Sequence, residues 1–215
     1  MIRAYDELYL ESARRVLAGM LDYAVHDLGY DITSFFNLFL KSPMARWFEN
    51  GDSAVLAGKS GVELAYDVLG TIGENRVFEK PQYTMNRSEE YWTGWSLAYY
   101  QWYTALSFSE ITRYIPIKEI QELYFPYHEM DIRQFVDKMN ELYRKAKPDT
   151  NLKLLRKRAG LTQRELAEYA GIPLRTIQQY EQRQKNINRA QAEYLVKLAK
   201  VLCCSVENLI EYVPE

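Results

Sequence analysis

The chain has 215 residues and a mass of 25.4 kDa, with 47% hydrophobic residues, 26% charged residues and a formal net charge of −2. These values are ordinary for a globular protein with a sizeable core, and they argue against long disordered stretches. No apolar run reaches the ~18 residues of a membrane-spanning helix, and the first residues do not resemble a signal peptide. We therefore expect a cytoplasmic protein without a membrane partner, and its two adjacent cysteines, Cys203 and Cys204, should be reduced.

The beginning of the chain is predicted to be helical, with several interruptions. Apolar spacing predicts a first helix over 5–28, with Leu8 on its apolar face, and a second helix over 33–41 that a proline ends. Residues 51–61 contain glycine and serine and are predicted to form a turn region. The stretch VELAYDVLG, which follows, is predicted to be an amphipathic helix.

An aromatic stripe dominates the next predicted helix, which begins after the natural N-cap Ser88. The members of the stripe, three or four residues apart, are Trp92, Trp95, Tyr99 and Trp102. This spacing is typical of a helix face buried in the core. Three further aromatic residues lie off that face: Tyr91, Tyr100 and Tyr103. Because aromatic side chains often anchor interfaces, this surplus leaves a protein-binding surface as an alternative.

The last helix of this region is predicted over 131–146, with Asp131 as its cap. It should end at the following Lys-Pro-Asp, because Pro148 disfavours a helical conformation at Lys147. This proline is therefore a candidate domain boundary.

The charge changes sign at the same place. Residues 150–215 contain 11 Lys and Arg against 7 Asp and Glu, a net charge of +4, whereas residues 1–149 contain 16 against 22, a net charge of −6. All four tryptophans and all eight phenylalanines lie in the acidic part. We therefore predict two domains, a helical and aromatic-rich domain over 1–147 and a second domain over 148–215.

Five short helices are predicted in the second domain. LKLLRKRA supplies the first helix, and Thr162 with Glu165 matches the capping box of the second. Gly171 suits the end of the second helix, and Pro173 suits the first turn of the third. AQAEYLVKLAKVL and SVENLIEYV are predicted to form the fourth and fifth helices.

A known family resembles this domain over about 152–211: the helix-turn-helix domains of phage repressors and Cro, the xenobiotic-response-element-like class of bacterial regulators. The resemblance depends on LRKRAGLTQRELAEYAGIPLRTIQQYEQ followed by LAKVLCCSVENLIE, and above all on G-L-T-Q, the Ala-Gly turn and the amide-rich third helix. In that family the second helix crosses the DNA backbone and the third lies in the major groove. The resemblance implies an all-α, five-helix domain that binds double-stranded DNA.

Carried over by position, the resemblance implies that Gln163 contacts a phosphate and that the third helix reaches base edges. Arginine suits guanine and glutamine suits adenine, so Arg175 and Gln179 are candidate base readers. Leu174 could touch a thymine methyl group or simply pack. The complete set of predicted DNA-binding residues is Thr162, Gln163, Leu174, Arg175, Thr176, Gln178, Gln179 and Arg183.

Two further positions relate to the family pattern. Arg156 and Glu181 align with a pair that bridges the first and third helices, which implies a structural role. Arg183 stands where the family often has glycine, and its charge adds a possible phosphate contact. The alternative for Arg175 and the neighbouring glutamines is a solvated helix face that binds nothing.

Other patterns fall short of an active site. Residues 58–60, Gly-Lys-Ser, resemble the end of a phosphate-binding loop, but Ser53 stands where the first glycine of that loop belongs. His26 and His128 lack the spacing of metal ligands, and no nucleophile has a recognisable partner. We therefore expect no enzyme activity, no catalytic residue, no metal and no cofactor.

The sequence thus predicts a DNA-binding transcriptional regulator, a repressor that acts by occupying its operator as a homodimer. The alternative is an antitoxin, whose acidic domain 1–147 would bind a toxin while the second domain represses their shared operon. That alternative follows from a weak resemblance of the first domain to helical regions of toxin and antitoxin operons.

Overall fold

The computed structural model describes residues 3–73, 80–81, 87–147 and 149–211, and within these ranges it contains helices and no strand. The predicted all-α class is confirmed. The chain divides into two compact units, Met1–Ala146 and Lys147–Glu215. Pro148, from which we predicted the boundary, lies outside the described residues.

The described part of the first unit contains ten α-helices after a short 3₁₀ turn, Glu7–Tyr9. The helices are α1 (Leu10–His26), α2 (Ile32–Lys41), α3 (Pro43–Glu49), α4 (Ser53–Leu56), α5 (Gly61–Gly70), α6 (Glu89–Thr104), α7 (Phe108–Tyr114), α8 (Ile117–Glu122), α9 (Tyr124–Tyr127) and α10 (Ile132–Ala146). They enclose one apolar core of leucine, phenylalanine and alanine side chains.

Helix α1 lies at the centre of this unit and packs against α5 and α6 at two glycines. A Cβ atom on Gly61 would lie 2.4 Å from the backbone nitrogen of Met20, and one on Gly94 would lie 2.6 Å from the carbonyl oxygen of Leu17. Both neighbours are backbone atoms of α1, which cannot move aside as a flexible side chain can. The close approach of the three helices therefore requires glycine at both positions.

Helix α6 is buried on more than the predicted stripe. Trp92 and Trp102 are buried as expected, whereas the other two members of the stripe are half-buried. Tyr100, which we placed off the buried face, is fully buried and donates a hydrogen bond of 3.0 Å to the side-chain oxygen of Asn140 on α10. Tyr100 therefore belongs to the core, and its interpretation as a surplus interface residue is wrong.

Several predicted boundaries differ from the structure. Asp6 accepts a hydrogen bond from the backbone of Leu8 and starts the 3₁₀ turn, so Leu8 lies before α1 and is exposed rather than apolar core. Pro43 follows the end of α2 and is also the first residue of α3. Proline is tolerated there because the N–H of the first helical residue has no partner within the helix. The predicted turn region 51–61 contains α4, which Asp52 caps.

The described part of the second unit contains α11 (Asn151–Arg158), α12 (Gln163–Ala170), α13 (Leu174–Glu181) and α14 (Ala192–Val201). Two 3₁₀ turns, Ile187–Arg189 and Val206–Asn208, flank α14. Among the described residues, the fifth predicted helix is reduced to the second of these turns, and the side chain of Asn208 accepts the backbone N–H of Ser205 at its start. The buried apolar residues at the centre of this unit include Leu152, Leu166, Ile177, Leu198 and Leu209.

We expect Gly94→Ala to destabilise the first unit by about 1–3 kcal/mol, because the added methyl group meets the backbone of α1. A loss of stability would be informative, because replacing glycine with alanine inside a helix ordinarily stabilises a protein by about 1 kcal/mol. Urea unfolding followed by tryptophan fluorescence measures this unit selectively, because all four tryptophans lie in it.

The matched control is Gly19→Ala in α1, where a Cβ atom would lie 3.5 Å from the Cα of Gly61, an ordinary contact. This variant should be as stable as the unsubstituted protein or slightly more stable. A Gly94→Ala protein that unfolds at the same or a higher urea concentration would contradict the role assigned to the close helix contact.

Candidate nucleic-acid interface

Helices α12 and α13 are joined by the short turn 171–173. Thr162 caps α12: its hydroxyl accepts the backbone N–H of Glu165 at 3.2 Å, and the carboxylate of Glu165 accepts the backbone N–H of Thr162 at 2.7 Å. The predicted capping box is therefore confirmed, and the backbone hydrogen bond lowers the pKa of Glu165. At the other end, Gly171 has φ +61°, the left-handed conformation that ends α12 and that glycine adopts without strain.

Apolar side chains fix the packing of this helix pair. Leu166 of α12 and Ile177 of α13 are fully buried, and Ile172 in the turn is nearly so. The backbone N–H of Ile172 also donates to the carbonyl oxygen of Ala167 at 3.0 Å, which holds the turn against the end of α12. One face of α13 is thus buried in the unit.

A buried ion pair connects α11 to α13. The guanidinium of Arg156 donates two hydrogen bonds to the carboxylate of Glu181, of 2.6 and 2.9 Å, and a third of 2.7 Å to the carbonyl oxygen of Leu161. The side chain of Glu181 is 1% exposed. These hydrogen bonds raise the pKa of Arg156. The predicted structural bridge between the first and third helices of the domain is confirmed.

Gln163, at the start of α12, joins the same carboxylate. Its side-chain nitrogen donates a hydrogen bond of 2.7 Å to Glu181. An amide group has two N–H donors and one carbonyl acceptor, so one donor and the acceptor of Gln163 are left for another molecule. The phosphate contact predicted for Gln163 stays a prediction, with an amide whose orientation Glu181 sets.

The outward face of α13 carries the predicted base readers. Leu174 and Arg175 are exposed, and Leu174 exposes 38% of its surface. Three further members are half-buried along the same helix: Thr176, Gln178 and Gln179. Among the residues that the structure describes, Arg175 forms no ion pair, so its guanidinium is available to a ligand.

Arg183 lies in the loop after α13, in an unusual backbone conformation. Its φ is +55°, the left-handed region that favours glycine, and here an arginine adopts it. Its guanidinium donates to the carbonyl oxygen of Lys147 at 3.3 Å and lies 3.8 Å from the carboxylate of Glu211. Its side chain is 46% exposed, and the phosphate contact predicted for Arg183 stays a prediction.

Basic residues near the end of α11 form ion pairs with carboxylates of the same unit. Besides the ion pair of Arg156, the ammonium group of Lys157 lies 2.8 Å from the carboxylate of Asp149. Lys153 also binds this carboxylate, at 2.6 Å, and the two lysines lower the pKa of Asp149. Much of the positive charge of α11 is therefore neutralised locally.

Comparison with known families agrees with this geometry. Residues 152–209 match the family described as helix-turn-helix. This segment is a helix-turn-helix domain of the Cro/C1 type. The suspected family is confirmed, and the domain is that of a DNA-binding transcriptional regulator. Neither the search of curated proteins nor that of solved structures found a match to the chain.

The other sequence patterns have local structural roles in the first unit. In the Gly-Lys-Ser run, Ser60 forms a capping box with Glu63 at the start of α5, and the ammonium group of Lys59 lies 2.8 Å from the carboxylate of Asp67. His26 lies 2.8 Å from a carboxylate oxygen of Glu90.

Across the described ranges, no three His, Cys, Asp or Glu side chains form a group that could hold a metal ion. In the same ranges, no helix is long and apolar enough to span a bilayer.

We expect Glu181→Gln to destabilise the helix-turn-helix domain by about 3 kcal/mol, because it leaves the Arg156 guanidinium buried without its counter-charge. Hydrogen exchange of the full chain, read by mass spectrometry, should show faster exchange in peptides from α11 to α13 and unchanged exchange in the first unit.

The control is Glu168→Gln, which changes an exposed carboxylate on α12. The double substitution Arg156→Met with Glu181→Leu should recover much of the lost protection, since it removes both buried charges. If Glu181→Gln leaves exchange unaltered, the bridge does not hold the helices together.

Proposed function

We propose that the protein is a transcriptional repressor that inserts α13 into the major groove of an operator and blocks polymerase or an activator by occupying it. The observation that carries the proposal is the outward face of α13, with Arg175 exposed on a helix that the Arg156–Glu181 bridge holds in place. A rigid helix with an available guanidinium suits the recognition of base edges.

Each predicted contact has a distinct chemical role in this proposal. Arg175 donates to O6 and N7 of a guanine, Gln179 pairs with N6 and N7 of an adenine, and Leu174 contacts a thymine methyl group. The exposure of Leu174 supports a contact outside the domain rather than core packing. The remaining members of the predicted set contact phosphates or neighbouring bases: Thr162, Gln163, Thr176, Gln178 and Arg183.

The division of charge supports the assignment of DNA binding to the second unit. The phosphate backbone attracts the segment 150–215, with its net charge of +4, and repels the segment 1–149, with its net charge of −6. The first domain, 1–147, is therefore assigned to binding protein, either a second copy of the chain or a partner.

Self-association is the role that the proposal gives to the first domain. A single helix-turn-helix unit reads only a few base pairs, and selective binding in a genome usually requires two units on half-sites about 34 Å apart. Joining two units raises the effective concentration of the second, often to the millimolar range, without a new DNA contact.

An antitoxin remains the second candidate, and the acidic first domain is the observation that favours it. A net charge of −6 over 1–149 would attract a basic toxin, while the helix-turn-helix domain repressed the operon. Co-expression with the product of a neighbouring gene distinguishes the two candidates. An antitoxin restores growth that the neighbouring product arrests, and a plain repressor does not.

Selection of bound sequences from a random DNA pool tests the reading of bases. The unsubstituted protein should enrich a palindrome, and Arg175→Ala should lose preference at one position of each half-site, at a cost of about 1–3 kcal/mol. Gln163→Ala should weaken binding to all sequences about equally, because phosphates carry no sequence information. If Arg175→Ala selects the same motif as the unsubstituted protein, Arg175 is a solvated residue that contacts no base. If the unsubstituted protein enriches no motif at all, the proposal is wrong.

Light scattering after size exclusion tests self-association. The full chain should have about twice the monomer mass of 25.4 kDa, whereas residues 148–215 alone should be monomeric. A monomeric full chain that still binds a palindrome cooperatively would contradict dimerisation through the first domain. A dimeric 148–215 would move the interface to the second domain. The sequence offers the end of the chain around Tyr212 and Val213 as an alternative interface there, and both residues lie outside the described residues.

A further inference from the structure

An open cavity of about 310 Å³ lies in the first unit, beside the first turns of α6 and the short helix α9. Its lining is largely aromatic and consists of Arg87, Tyr91, Trp92, Trp95, Tyr124 and His128. Small-molecule sites have volumes of about 300–1,000 Å³, so this cavity suits a ligand of one or two rings. None of its lining residues belongs to the helix-turn-helix domain.

The walls of the cavity are held by ring contacts. Trp92 is buried and meets Tyr124 and Phe135 edge to face, with centroid distances of 5.7 and 5.3 Å. His128 stacks on Tyr124 with a centroid distance of 4.4 Å, and its Nδ1 lies 3.0 Å from the carbonyl oxygen of Tyr124. These rings have little freedom to collapse into the space, so a flat ligand would meet a preformed surface.

Arg87 gives the lining of the cavity a positive charge, and Arg14 contacts one of the lining rings. The guanidinium carbon of Arg87 lies 3.9 Å from the ring centroid of Tyr91, and that of Arg14 lies 3.2 Å from the ring centroid of Trp95. Arg14 is anchored by Glu11 at 2.7 Å, whereas Arg87 has no carboxylate partner among the residues that the structure describes. Arg87 can therefore offer N–H donors to an anion at the cavity.

Nearby carboxylates do not reverse this charge. Glu90, at the start of α6, is bound by His26 and by the side chain of Gln121, each at 2.8 Å. Glu129 lies 3.6 Å from Nε2 of His128 and is 86% exposed to solvent. Aromatic cages bind cations, but here two of the rings already carry a guanidinium and the described lining contains no carboxylate. The cavity is therefore unsuited to a cationic ligand.

We propose that this cavity binds a planar aromatic carboxylate. The ring of the ligand lies against Trp92 and Trp95, and its carboxylate accepts hydrogen bonds from the guanidinium of Arg87. The proposal concerns binding to the first unit and does not depend on the repressor function.

Ligand-observed NMR on the full chain tests the class of ligand, with benzoate and indole-3-carboxylate as probes. Both should bind with a dissociation constant of about 1 mM or tighter, a value in keeping with molecules of this size. Benzamide, which has the same shape without the charge, should bind about ten times more weakly, and benzyltrimethylammonium should not bind. Failure of both carboxylates, or equal binding of benzamide or of the cation, would overturn the proposal.

Two variants place the site. Arg87→Gln should weaken the binding of benzoate and of indole-3-carboxylate by about ten-fold, as expected for loss of a charge-assisted hydrogen bond, and leave benzamide unaffected. Arg113→Gln, which removes an exposed arginine of α7 outside the cavity, is the matched control and should bind all probes as before. Unchanged carboxylate affinity in Arg87→Gln would place the site elsewhere.

Folding of the variants is checked by unfolding in urea with tryptophan fluorescence. If Arg87→Gln were less stable, His128→Ala provides a second test, because it removes a ring from the lining without touching α6. It should also weaken both carboxylates. Retention of full affinity in this variant would contradict the proposed pose.

Discussion

The carboxylate of Glu181 is the point at which three helices of the second unit meet. It is the last residue of α13, and it accepts hydrogen bonds from Arg156 of α11 and from Gln163 of α12. Apolar contacts such as that of Leu166 with its neighbours bury area but tolerate small rotations, because they have no directional preference. Hydrogen bonds to one buried carboxylate are directional and do not tolerate such rotations. They therefore set the orientation of α13 relative to the other two helices.

This arrangement separates residues that position α13 from the residues proposed to read DNA. A buried ion pair contributes little net stability, since the cost of removing both charges from water offsets most of their attraction. The pair instead fixes the orientation of α13. Any hydrogen bond from α13 to a base depends on this orientation, because hydrogen bonds weaken steeply with misalignment. In the proposed complex, Arg175 can only read a base if the helix beneath it is fixed. Gln163 would share both tasks, since one of its N–H groups donates to Glu181 and the proposal gives the rest of its amide a phosphate contact.

Local signals in the sequence were sufficient for much of the helix-turn-helix domain. The capping box of Thr162 and the left-handed Gly171 each depend on residues a few positions apart, and the bridge from Arg156 followed from the family resemblance. Distant contacts were not accessible in the same way. Tyr100 is buried with its hydroxyl donating a hydrogen bond to Asn140, forty positions along the chain, and no helical periodicity contains that information.

The same limit explains the missed helices of the first unit. Helices α7, α8 and α9 have seven residues or fewer, too short for apolar periodicity to be recognised, although Ser107 caps the first of them and Pro116 precedes the second. The close packing at Gly61 and Gly94 was equally hidden, since a glycine within a helical pattern does not reveal which backbone it meets. Exposure of Leu174 and Arg175 was predicted from the helical pattern, whereas the partial burial of Gln178 and Gln179 required the structure.

The glycine contact at the centre of the first unit is adjacent to the aromatic cavity along α6. Gly94 brings α6 against the backbone of α1, and the next residue, Trp95, forms part of the lining. Arg14 of α1 lies over the Trp95 ring, where burial lowers its pKa and where two of its side-chain nitrogens make no hydrogen bond among the described residues. The ring face therefore replaces part of the lost hydration of this cation. Because that contact requires α1 and α6 to stay close, the glycine that permits the helix packing also keeps Arg14 against the Trp95 ring, which lines the cavity.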